Sequence, residues 1–243
     1  MVDLEDDDDV DADEPGDTGT RQWPLDDREQ GPTASDGRKE PLGDTTGPTP
    51  LYRTVDKTNN NDDNDGFHCD QEPSEPSQLI SKNDMKAISS HSPLRHRHKK
   101  WALLYSTLRD GISMQTLLRK AKGHAPTVLL VRDMSKHVFG AFCSESWRVS
   151  QRYFGTGETF VFRVDPDPAV WKWWWQKSNE QQNDFFLWGS PEGIAVGGAG
   201  GYAIWLDSEL CHGISRCSST FGNSCLASQE EFPVGAVELW ALV

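Results

Sequence analysis

The first 93 residues of this chain are poor in large apolar side chains and in cations. They hold 24 aspartates and glutamates against 8 lysines and arginines, a net charge of −16, and one of the ten tryptophans, Trp23. Stretches such as LEDDDDVDADEPGD, NNNDDNDG and QEPSEPSQ offer too little apolar surface to offset roughly 1–2 kcal/mol of backbone ordering entropy per residue. Residues 1–93 therefore read as a disordered acidic tail. No apolar run approaches the ~18 residues of a membrane span, so no membrane insertion is expected. The mostly acidic amino terminus lacks the basic-then-apolar order of a secretory signal. An intracellular protein is expected, cytoplasmic first, with mitochondrion and nucleus as other destinations. Its five cysteines (Cys69, Cys143, Cys211, Cys217 and Cys225) then read as reduced thiols. G-x-S-x-G, H-E-x-x-H and Walker loops are all missing.

Residues 94–243 have a different composition, with 16 basic and 14 acidic residues, net +2, and the other nine tryptophans. A segment of this length, 150 residues, can bury about 68–70% of its unfolded surface, sufficient for an independent domain. The run PLRHRHKKW marks residues 94–100 as a basic linker ahead of a domain at 101–243. Arg95, Arg97, Lys99 and Lys100 either offset the tail in solvent or form a nuclear-import signal. Nucleic-acid binding is not expected, because the domain is near neutral and the tail competes for any basic patch.

Within the domain, Ser113 caps a helix whose Met114, Leu117, Leu118 and Ala121 share a face and which Gly123 stops. TVLLVRD is short, β-branched and bounded by turn residues, hence a buried strand; MSKH turns the chain and HVFGAFCSE returns it. TFVFRVD, VWKWWWQ, FFLWGS, GIAVGG, YAIWLD and VGAVELWALV are further strands, whereas WRVSQRYFGTGE is irregular. Eight strand-like runs against one clear helix predict a mainly β, two-sheet antiparallel sandwich with flanking helices.

The segment VGGAGGYAIWLD contains Gly198, Gly200 and Ala203 in the G-x-G-x-x-A spacing of a dinucleotide site. That site needs a helix starting among the glycines and an acidic residue about 20 positions on. Here Tyr202, Ile204 and Leu206 alternate with Ala203, Trp205 and Asp207, which is a strand. The glycines are read as mechanical, leaving room for a bulge and for the ring of a facing tryptophan. NDDNDGFHCDQE approaches a calcium loop, but its first ligand is the neutral Asn61, His68 occupies an apolar position, and Pro73 and Pro76 forbid the exit helix. Cys211, His212, Cys217 and Cys225 match no zinc spacing, so no metal and no cofactor are expected. Trp171, Trp173 and Trp175 share one face of a strand and Trp174 takes the other, as core or as a partner-binding patch. Glu145 and Glu158 flank a glycine-rich loop with Gly155 and Gly157. They serve either as general acid and base or as acceptors for loop amides, and the capping role is preferred.

In order, LLYSTLRDGISMQTLL, GHAPTVLLVRD, VFGAFCSESWR, YFGTGETFVF, GGAGGYAIWLD, CSSTFGN and VELW resemble the TLDc domain of the oxidation-resistance family. The resemblance covers essentially all of residues 101–243 and none of the acidic tail. It implies a two-sheet sandwich with flanking helices, protection against oxidative damage, and binding to subunits of the vacuolar-type proton ATPase. No accepted catalytic mechanism accompanies it. Glu145 and Glu158 are the residues it brings under suspicion, and Ser144, Trp147 and Arg148 match its SESWR motif. WKWWW is heavier than the family's usual single aromatic, and LWALV stands where a WGF-like ending is common. Neither a LysM nor a TBC module precedes the domain in this sequence.

Overall fold

Strands that are apolar at successive positions need cover on both faces, and the computed structural model supplies it. It describes residues 48–52, 72–173 and 183–243. The strand β1 (Thr49–Pro50) and the helix α1 (Lys82–His91) come first, and a 3-10 turn (Leu94–His96) leads to β2 (Trp101–Ser106). The short α2 (Thr107–Asp110) and α3 (Met114–Ala121) follow. Next come β3 (Thr127–Asp133), β4 (Val138–Cys143), β5 (Phe160–Asp165) and β6 (Ala169–Lys172). The remaining strands are β7 (Leu187–Ser190), β8 (Gly193–Val196), β9 (Ile204–Asp207), β10 (His212–Ile214) and β11 (Glu231–Leu242).

All pairings are antiparallel, in the order β1-β6-β5-β4-β3-β11-β10-β9-β8-β7, with β2 also on β11. The two layers expected from the sequence are present, and one strand joins them. Residues Glu231–Pro233 of β11 pair with β10, while Ala236–Ala241 pair with β3 and Glu238–Leu242 with β2. The register shifts between Val234 and Ala236, a bulge centred on Gly235 where the strand passes from one layer to the other.

Alternation along the strands sorts side chains into two cores. Leu129, Val131, Phe139, Ala141, Val161, Ile194, Ile204 and Leu239 lie in the core shared by the layers. Val128, Leu130, Phe142, Phe160, Phe162, Val170 and Trp240 face the other way, in a second core closed by Leu51, Ile80, Met85 and Ile88. Each fully buried side chain of this size contributes about 1.5–3 kcal/mol, before the entropy cost of ordering it.

The second core corrects the expected boundary at residue 93. Leu51, Ile80, Met85 and Ile88 are buried, so parts of the expected tail belong to the folded unit. Helix α1 starts at a reciprocal capping box. The Asp84 amide donates to Ser81 Oγ at 3.3 Å, and the Ser81 amide donates to an Asp84 carboxylate oxygen at 2.7 Å. A few apolar residues suffice there because the face they cover already exists. The strap Glu72–His91 is also anchored on Glu238, which is 1% exposed on β11. Its carboxylate accepts from Ser77 Oγ at 2.6 Å, the Gln78 amide at 2.8 Å and Trp240 Nε1 at 2.9 Å, none of them a cation.

The linker expected at 94–100 is likewise part of the domain. Lys100 and Val243 exchange backbone hydrogen bonds of 3.0 Å, and Lys99 Nζ reaches the Leu242 carbonyl at 3.4 Å. The Ser113 cap on α3 is as expected, its Oγ accepting from the Thr116 amide at 3.2 Å. The calcium-like run apart from Glu72, and also Cys69, Trp174 and Trp175, lie outside the described residues.

Candidate functional site: the loop between β4 and β5

Residues 144–159 connect β4 to β5 without regular structure, held by side chains that close on the loop itself. Ser144 Oγ accepts from the Thr156 amide at 2.9 Å and lies 3.0 Å from Thr159 Oγ1. Ser146 Oγ donates to the Ala121 carbonyl and accepts from the Gly123 amide, both at 3.0 Å, which fixes the loop to the end of α3. Trp147 is buried and meets Phe154 edge-on at 6.5 Å. Phe154 exchanges two 2.9 Å backbone bonds with Leu187, so the loop covers the outer edge of β7.

The two glutamates have separate duties. Glu145 Oε1 accepts from the Gly155 amide at 3.2 Å, and Oε2 accepts from Arg148 Nη1 at 2.8 Å. The Arg148 guanidinium lies 4.0 Å from the centre of the Phe154 ring. Glu145 thus braces two limbs of the loop. Glu158 instead pairs with Arg95 of the basic segment, across 63 positions of sequence. No spacing rule signals that partnership. A small cleft of about 220 Å3 beside it is lined by His91, Arg97, Gly157, Glu158, Phe160 and Lys172. Glu145 is not in its lining.

Glycines here make room for aromatic side chains, though the tryptophan is found against Gly157 and not against Gly198. The ring of Trp173 covers Gly157, where an added Cβ would meet it at 2.2 Å. Gly198 faces Phe185 and Tyr153 instead, at 2.8 and 2.9 Å from an added Cβ, so the tryptophan assigned to it sits elsewhere. The Gly198 amide donates to Ser218 Oγ and Thr220 Oγ1, both at 3.1 Å. Gly200 has φ +82°, and the chain then enters β9 with no helix starting among these glycines. The loop therefore lacks the strand–glycine–helix geometry that holds a dinucleotide phosphate.

Burial pushes the Cys143 thiol well above its ordinary value, whereas Cys217 is exposed and Cys211 and Cys225 are half-buried, all four as free thiols. No group of three potential metal ligands occurs among the described residues. A larger open groove of about 890 Å3 lies elsewhere, lined by residues that include Tyr52, Ser77, Asp84, Arg132, Lys136 and Asp165. Within it the phenol of Tyr52 is pushed up to about 12, by burial first and then by its hydrogen bond to Asp84. No helix among the described residues is long and apolar enough to cross a membrane.

The TLDc-domain family model matches residues 73–243, which includes the strap as well as the sandwich. The chain belongs to the TLDc-domain family. It is 39% identical over 181 residues to oxidation resistance protein 1 of Xenopus tropicalis, covering 71% of this chain and 20% of that protein. Human oxidation resistance protein 1 is 39% identical over 170 residues, 69% of this chain and 19% of the relative. Human nuclear receptor coactivator 7 is 36% identical over 167 residues, 68% and 17% of the two chains. This TLDc-domain chain thus spans about a fifth of the length of these relatives.

Proposed function

We propose that this TLDc-domain chain protects cells from oxidative stress as a non-catalytic protein-binding module, and that it acts in the cytoplasm on subunits of the vacuolar-type proton ATPase. Loops 144–158 and 197–203 are the docking elements in this reading. The observation that carries it is the use made of Glu145: both carboxylate oxygens hold the loop's own groups, Gly155 and Arg148. A general acid or base needs a carboxyl oxygen turned toward a reacting group, whereas a brace gives a loop fixed shape for recognition. Kinship with proteins named oxidation resistance protein 1 supports the stress-related part. The test adds purified chain to vacuolar membranes and follows ATPase activity and release of the peripheral sector. Loss of activity at micromolar protein is the expected result; unchanged activity and retention of the sector reject the pump as target.

A second reading, direct scavenging of peroxide, draws on Cys217, an exposed free thiol beside Arg216. Peroxide survival of cells carrying the chain with Cys143, Cys211, Cys217 and Cys225 all changed to Ser separates the two. Full protection by that variant removes scavenging. A folded Glu158→Gln variant that protects as well as the wild type removes carboxylate chemistry too.

A further inference from the structure

The hinge between the strap and β2 places a histidine where a second proton has no partner. His96 lies in the 3-10 turn with its ring 6.2 Å from that of Phe142, which is itself stacked on Phe160 at 5.1 Å. Its Nδ1 is buried and has no hydrogen-bond partner among the described residues. The neutral ring tolerates this by carrying its proton on Nε2 and leaving Nδ1 as a bare lone pair. The imidazolium carries N–H on both nitrogens, so a charged donor would be left unsatisfied at the buried Nδ1, next to Phe142.

The surrounding charges act in the same direction. Burial disfavours the charged ring first, Arg95 and Lys99 add repulsion, and among the described residues Glu158 alone favours it. That carboxylate is already held by Arg95. Among the described residues, the other titratable groups lining the neighbouring cleft with Glu158 are His91, Arg97 and Lys172, and His98 and Lys100 lie in the same segment as His96; none of these is an anion.

We infer that residues 94–100 form an acid-released latch, in which protonation of His96 lifts the hinge from Phe142, parts Arg95 from Glu158 and uncovers the cleft beside Glu158. The sign follows from linkage. The latched ring titrates below the ordinary value of 6.5 and the released ring at it, so released hinge binds the proton more readily. The latch is at full strength above about pH 6.5 and weakens as pH falls below it, by up to about ten-fold in its opening constant for each unit between the two values. Nothing in this device depends on which partner the loops dock.

The experiment uses the full chain and compares amide hydrogen exchange near pH 7.5 with that near pH 5, corrected for intrinsic exchange. Protection of residues 94–100 should fall about three-fold or more in the wild type, with β3 and β4 unchanged. His96→Gln should flatten that response and His98→Gln should leave it intact. Three results overturn the latch: equal protection of the hinge at both pH values, the same loss in His96→Gln, or parallel loss in β3 and β4. Should His96→Gln not fold, a direct NMR titration of His96 in the wild type decides. A midpoint below 6.5 supports the latch, and one at or above 6.5 rejects it.

Discussion

The layer built on β3–β6 is covered on both faces, whereas the layer of β7–β10 packs one face inward and leaves Trp188 and Trp205 half-buried on the other. Both tryptophans flank Ala195 across the strands, which is a modest exposed aromatic surface. The outer face of the first layer instead presents Val128, Phe142, Phe160, Phe162 and Trp240, and it needs a lid. That lid comes from an amino-terminal strap of mostly polar residues, held by Met85, Ile88 and the bonds to Glu238. One layer thus stands on its own inner core, while the other relies on the amino-terminal strap to cover its second face.

Unfolding in urea tests this contrast. Trp240→Ala removes a fully buried ring from beneath the strap and should cost about 3–5 kcal/mol. Ile88→Ala, on the strap's side of the same core, should cost about 2–4 kcal/mol. Glu238→Gln leaves one of three donors without an acceptor and should cost about 1–2 kcal/mol, with faster hydrogen exchange in residues 72–91 than in β7–β10. Trp205→Ala, on the second layer's outer face, should cost about 1 kcal/mol or less. A Trp205→Ala loss equal to that of Trp240→Ala would erase the distinction between the layers.

Much of the sandwich was legible in the sequence. TVLLVRD, VFGAFC and FVFRVD are apolar enough to mark strands with two covered faces, and the Ser113 cap and the Met114/Leu117/Ala121 face mark α3. The alternation in YAIWLD distinguished a strand from a nucleotide-binding helix, as the path from Gly200 into β9 bears out. The strap was missed because NDMKAISS is as polar as the tail around it. Its one signal was Ser81 followed three positions on by Asp84, the spelling of a capping box. Strand β10 spans only His212–Ile214, too short for alternation to register. At the candidate site, Glu145 and Glu158 were found by motif. Their different duties were not, because Arg95 meets Glu158 only through the three-dimensional path of the hinge. The lone acid in VELW was the available clue to Glu238, since a charge among apolar strand residues requires a local set of donors.

The seam strand also constrains how the molecule can be made. β11 lies between β3 and β2 in one layer and against β10 in the other, yet all three of those partners are synthesised before it. A ribosome that pauses before Glu231 therefore holds a chain with three raw strand edges and two half-sandwiches that cannot close. During that interval the growing polypeptide offers ready templates for pairing with other chains. Assembly begins to compete with aggregation only when those twelve residues arrive.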